Sequence, residues 1–155
     1  MAKTLVNTTS TQIQYGLKSI QVNRFAYTLP KIKVTNEENI ALDYNITPVI
    51  RYNIKESLIL VFIQTEIIIK ETTEKIVDSE FAFIYAAKNL DSFVELTKDT
   101  QIWKFKDPKN EGLIVTLIGA SLSTTRGILF EKTRGTIAEG APLPIMNPAT
   151  FIKKD

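Results

Sequence analysis

Residues 57 to 87 hold the stretch that most restricts what this chain can become. "SLILVFIQTEIIIK", 57 to 70, is apolar along its odd positions (Ile59, Val61, Ile63, Ile67 and Ile69, with Thr65 among them) and half apolar along its even ones (Leu58, Leu60, Phe62, then Gln64 and Glu66). Alternation with period two puts each set on its own face of a strand, and the extra apolar residues at the start predict a central strand covered on both sides at that end. "KETTEK" is a polar turn, and in the "IVDSEFAFIYAA" that follows, Phe81, Phe83 and Tyr85 share one face. The two runs predict a hairpin.

Two further strands precede it. Ile13, Tyr15 and Leu17 alternate with polar residues, but Ile20 and Val22 continue in the opposite phase, so a bulge or bend is expected near Lys18 and Ser19. Ile40, Leu42, Tyr44 and Ile46 form a half-buried strand that Pro48 interrupts, resuming at Ile50 to Tyr52, which places it at an edge or a break. After Asn89 the period changes. Leu90, Phe93, Val94 and Leu96 suggest an amphipathic helix, broken by "KFKDPKNEG". From Gly112 to about Lys132 the apolar residues Leu113, Ile114, Leu117, Ile118, Leu122, Ile128 and Leu129 predict a long helix that stops at Gly135. Strands first and helices last predict an α+β fold: a four-stranded antiparallel sheet followed by a long helix packed on one face.

Composition narrows the chemistry. With 155 residues, 44% hydrophobic and 23% charged, residues 1–155 are expected to form a single domain with 1–11 as a flexible N-terminus. No histidine or cysteine is present, which excludes Ser-His and Cys-His nucleophiles, zinc ribbons and histidine-based metal sites. Gly112, Gly119 and Gly127 lie in a helical pattern with no Gly-Lys-Ser/Thr after them, so a phosphate loop is not expected. Glu71, Glu74, Asp78 and Glu80 read as a solvated hairpin surface rather than an acid/base pair. A net charge of +2 with no basic run gives no footprint for nucleic acid. No catalytic residue, metal or cofactor is nominated, and an enzyme is not expected. "MAKTLVNTTSTQIQ" lacks the apolar core of a signal peptide, and "LILVFI" and "LIVTLIGASL" are too short to span a bilayer, so a cytoplasmic protein without membrane insertion is expected.

Two features point to surfaces. Gly119, Ser123 and Gly127 recur every four residues and form a flat helical stripe that another backbone could approach, either a second helix in an oligomer or the chain's own sheet. "TRGTIAEGAPLPIMNPATF", 133 to 151, leaves the helix for a proline-containing loop at 136–148 that carries Ile137, Leu143, Ile145 and Met146. Its prolines forbid both helix and central strand, so the apolar side chains are candidates for a binding surface.

The same segment resembles that of the SecB protein-export chaperone family, in which the long helix ends at Arg-Gly-Thr and a proline loop and an Asn-initiated terminal helix follow. "TQIQYGLKSIQVNRFAY" is similar to the first strand of that family and the 57 to 87 hairpin to its third and fourth, so the likeness runs from about Gln12 to Phe151. The resemblance implies an ATP-independent cytoplasmic holdase, a homotetramer built as a dimer of dimers, that keeps unfolded or precursor polypeptides from aggregating and acts in export. It implies that Ile137, Leu143, Ile145 and Met146 face clients and that the Gly119, Ser123, Gly127 stripe serves the oligomer. Contact with the motor SecA would run through acidic residues on the outer sheet face, at positions matching Ser19, Asn23 and Glu80; only Glu80 is acidic here. The terminal helix is reduced to a stub at 149–155 and an acidic tail is missing, so weak motor binding is expected. A chaperone dedicated to the antitoxin of a toxin–antitoxin system and a non-enzymatic carrier of a small ligand are the alternatives.

Overall fold

Four long antiparallel strands make the framework: β1 (Tyr15–Tyr27), β2 (Leu42–Asn53), β3 (Leu58–Ile69) and β4 (Glu74–Ala87), in the order β1-β4-β3-β2. The computed structural model describes residues 13–31, 40–99, 101–139 and 143–152. The flexible terminus expected at 1–11 lies outside them. β3 and β4 are the central strands, and their hairpin is the expected one, with Ile63 opposite Phe81 and Val61 opposite Phe83.

The faces sort as the alternation requires. Ile59, Val61, Ile63, Thr65, Ile67 and Ile69 are all buried, as are Val77, Ser79, Phe81, Phe83 and Tyr85 opposite them, while the even residues of β3 beyond Leu58 are half-buried. One face is therefore closed along its whole length, rather than both faces at one end. Pro48 does not interrupt β2: the strand runs unbroken through it, with Pro48 opposite Ile63. The edge position makes this possible, because a proline costs nothing on the side where no strand pairs.

In β1 the register with β4 shifts between Leu17 and Ser19, where the phase change demanded a bulge, and again between Val22 and Arg24. Each extra residue restores the phase, so Leu17, Ile20, Val22 and Phe25 lie opposite Tyr85, Phe83, Phe81 and Ser79 on the same face.

The helix expected from Leu90 is a single turn, α1 (Leu90–Phe93), followed by a small hairpin of β5 (Val94–Leu96) and β6 (Trp103–Phe105). Buried Val94 and Phe105 anchor it, with the Phe105 ring edge-on to Tyr52 at 6.2 Å. The carbonyls of Asp91 and Ser92, which a longer helix would have used, accept instead from Lys106 Nζ at 3.3 and 3.1 Å. A β-branched and aromatic run with a tertiary anchor overrides a weak helical pattern.

The long helix is α2 (Glu111–Lys132), one residue longer at its start than the apolar pattern indicates. Gly135 follows at φ 74, the left-handed conformation that stops a helix. Ile114, Leu117, Ile118, Leu122 and Leu129 press α2 onto the closed face of the sheet, together with Ser121, whose hydroxyl shares a 2.9 Å hydrogen bond with Tyr85. By length and composition alone the segment Pro108–Lys132 would also suit a membrane span; here its inner side is core. The hydroxyls of Thr65 and Thr125 are buried in the same layer without a hydrogen-bond partner among the described residues.

Candidate functional site

The two flanks of α2 are finished differently. Toward β2, the chain that leaves the helix comes back as an extended strap, Leu143 to Asn147, and closes in one 3-10 turn, Pro148–Phe151. Asn147 starts that turn, its Oδ1 accepting from the Ala149 amide at 3.1 Å. The expected stub of terminal helix is thus a single turn, and 153–155 lie outside the described residues.

Two contacts fasten the strap. Arg126 donates from Nε to the Leu143 carbonyl at 2.9 Å and from one terminal nitrogen to the Pro144 carbonyl at 3.0 Å. At Gly119 the ring of Pro148 approaches so closely that a Cβ there would lie 3.1 Å from its Cγ. The flat place on the helix is therefore filled by the chain's own proline. At Gly127 nothing lies within 4 Å of where a Cβ would be, and Ser123 is exposed. The expected stripe is split between a self-contact at one end and an open surface at the other.

Between strap, α2 and the β2 edge lies a cleft of ≈ 280 Å³, bounded by Ile46 below, by Gly119, Leu122, Ser123 and Arg126 on the helix, and by Leu143 to Met146 and Pro148 on the strap. Its size admits one or two aliphatic side chains and falls just short of an ordinary small-molecule pocket. Ile145 stands at the rim, 92% exposed, with Met146 half-buried beside it. Leu143, expected to be offered outward, is only 4% exposed and joins the core, so it is wall rather than bait. Ile137 is half-buried in the turns after α2 and is not part of the cleft. Sequence reasoning therefore brought Leu143, Ile145 and Met146 to the same place as Gly119 and Ser123 without recognising it as one place. It missed Ile46, Leu122, Pro148 and Arg126. The last had a visible signal, being the single charged residue between Glu111 and Glu131.

Toward β1, none of the described residues forms a strap. Tyr15, Leu17, Ile20 and Val22 lie on the helix-side face of the sheet yet are 46%, 51%, 38% and 52% exposed. They make a second apolar surface, on an edge strand.

The outer face of the sheet is polar around Gln64, Glu66, Asp78 and Glu80 and apolar toward Leu60, Phe62 and Ile84. Lys75 bridges Glu66 at 2.8 Å and Asp78 at 3.1 Å, and Arg24 reaches Asp78 at 2.8 Å. Glu80 accepts from Asn23 Nδ2 at 2.9 Å and from Gln64 Nε2 at 2.8 Å, and these hydrogen bonds hold its carboxyl below the usual range. Asn23 and Glu80 are thus neighbours on this face, and Ser19 lies farther along it, opposite Ile84. Among the described residues no group of three or more acids is placed to hold a metal ion.

A four-stranded antiparallel sheet under one long helix, with a returning strap, defines an α+β fold of the SecB-like type. A solved structure with this arrangement is Mycobacterium tuberculosis Rv1957, a SecB-like chaperone in complex with a ChAD peptide from the HigA1 antitoxin Rv1956; the match has a TM-score of 0.55 and 15% identity and covers 86% of both chains. At that identity the likeness is one of fold. A protein of unknown function from Streptococcus agalactiae aligns with a TM-score of 0.41 and 12% identity, over 86% of this chain and 99% of its own. No family model matches the sequence, and neither does any curated protein.

Proposed function

We propose that this protein is a non-enzymatic chaperone that holds unfolded polypeptide segments in the cleft between α2 and the strap. The observation that carries the reading is the rim: Ile145 is almost fully exposed beside an apolar cleft too small for a lipid and sized for side chains. Burying one Leu-sized client side chain contributes about 1.5–3 kcal/mol, so the one or two that the cleft admits leave binding at a single site weak after ordering costs. Several linked sites on an oligomer then raise avidity toward a long chain. A cytoplasmic, ATP-independent holdase follows from the same reading.

An antitoxin-directed or general role is favoured over export. The Rv1957 chaperone of similar fold is solved with an antitoxin peptide. Glu80, the one acid at the three positions implied for SecA, already accepts two hydrogen bonds from its own chain. A homo-oligomer, as a dimer of dimers, is better served by Tyr15, Leu17, Ile20 and Val22 than by the Gly119 end of the helical stripe, where Pro148 sits.

The test is suppression of aggregation of a chemically unfolded client, followed by light scattering. Near-stoichiometric protein should suppress equally with and without ATP, and Ile145→Ser with Met146→Ser should weaken the effect without shifting the melting curve. Unchanged suppression by that double variant would move the client site elsewhere. A Leu17→Asp variant that sediments like the parent would remove β1 from the oligomer.

A further inference from the structure

We infer that the cleft prefers client segments in which an acidic side chain lies beside an aliphatic one, with Arg126 receiving the carboxylate. This rests on the cleft being a polypeptide site and adds a charge preference to it.

Arg126 is the single charged side chain lining the cleft. Its neighbours one helical turn away, Leu122, Ser123, Leu129 and Phe130, carry no charge. Among the described residues no carboxylate oxygen lies within 4 Å of it, although Arg24, Lys75, Lys104 and Arg134 all have such partners. A guanidinium has five N–H donors. Here Nε and one terminal nitrogen serve the Leu143 and Pro144 carbonyls, and the second terminal nitrogen has no acceptor among the described residues. The residue is half-buried, between an apolar helix face and an apolar strap. Two carbonyl dipoles satisfy donors but do not neutralise a cation, so the cleft keeps a positive potential that apolar walls screen poorly. A carboxylate entering with a neighbouring aliphatic side chain gains a charge-assisted hydrogen bond and fills the apolar volume together. A lysine in the same place meets repulsion instead.

The test uses the full chain and three short labelled peptides that differ only at one position between two leucines: glutamate, glutamine or lysine. In fluorescence anisotropy the glutamate peptide should bind about five- to tenfold tighter than the glutamine one, with the lysine peptide weakest. That gap should narrow as salt rises from about 0.05 to about 0.5 M. Arg126→Gln should abolish it and Arg126→Lys should keep part of it. Because Arg126 also fastens the strap, the comparison of peptides on the unaltered protein decides the matter and the variants come second. Equal affinity for all three peptides overturns the charge preference and leaves the cleft a polypeptide site. Binding of none of them overturns the polypeptide reading itself. Decanoate that binds more tightly than the glutamate peptide and displaces it assigns the carboxylate to a lipid and overturns the inference.

Discussion

Alanine at Gly119 and alanine at Gly127 are the same chemical change on the same helix, one pair of turns apart, and the structure predicts different outcomes. In a helix interior, alanine is favoured over glycine by about 1 kcal/mol. At Gly127 a Cβ would meet nothing within 4 Å, so the whole gain should appear. At Gly119 it would lie 3.1 Å from Pro148 Cγ, against an optimum of about 3.5–4.0 Å, and the proline must retreat by about half an ångström. Pro148 belongs to a single terminal turn, so it can yield, but it gives up part of its contact with α2. Gly119→Ala should therefore gain less, between 0 and about 0.5 kcal/mol, and should loosen the strap. Urea unfolding of both variants at equal slope measures the difference, with a shift in melting temperature of about 2–4 °C expected for Gly127→Ala. A Gly127→Ala variant that is less stable than the parent, or that changes its oligomeric state, would refute the reasoning: it would mean that another chain covers this position and that the helical stripe is an interface after all.

The strap supplies a second contrast, because Leu143→Ala should cost about 2–5 kcal/mol in urea unfolding while Ile145→Ala should change stability by no more than about 0.5 kcal/mol. Thr65 is fully buried with a hydroxyl that has no partner among the described residues, and Thr65→Val, which keeps the shape and removes the hydroxyl, should raise stability by about 1–3 kcal/mol in the same assay. Glu80 is held below its ordinary 4.5 by Asn23 and then Gln64, so the stability it contributes is present above that pH and lost as pH falls through the folded-state value. Urea midpoints measured between about pH 6 and about pH 3 should therefore fall less steeply for Glu80→Gln than for the parent. Calorimetry with the cognate motor protein should detect weak binding or none; submicromolar affinity that collapses on Glu80→Lys would restore an export role.

What the sequence disclosed was mostly periodic. The β3–β4 hairpin and α2 are long and strongly patterned, and even the first bulge of β1 was written as a phase change between Leu17 and Ile20. The second bulge, near Asn23, carried the same signal in the spacing from Val22 to Phe25 and went unread. The helix expected after Asn89 failed because four apolar residues at helical spacing are a weak signal beside the pull of Phe105 on Tyr52, a contact 53 positions apart in the chain. The cleft was legible as a list of apolar residues but not as a place. Whether Leu143 points in or out depends on where the strap lands, and Arg126 and Pro148 decide that through contacts that no local pattern encodes.

The two bulges of β1 have a consequence for self-protection. A protein that carries an apolar surface on an edge strand exposes a row of backbone donors and acceptors beside it, which is the usual seed for runaway strand addition. Each bulge breaks the regular spacing of that row and twists the strand, so an incoming extended chain cannot zip along more than the few residues between one irregularity and the next. The apolar side chains remain available for lateral contact while the backbone rail beside them is interrupted. β1 can thus be sticky on its face without being a template along its edge.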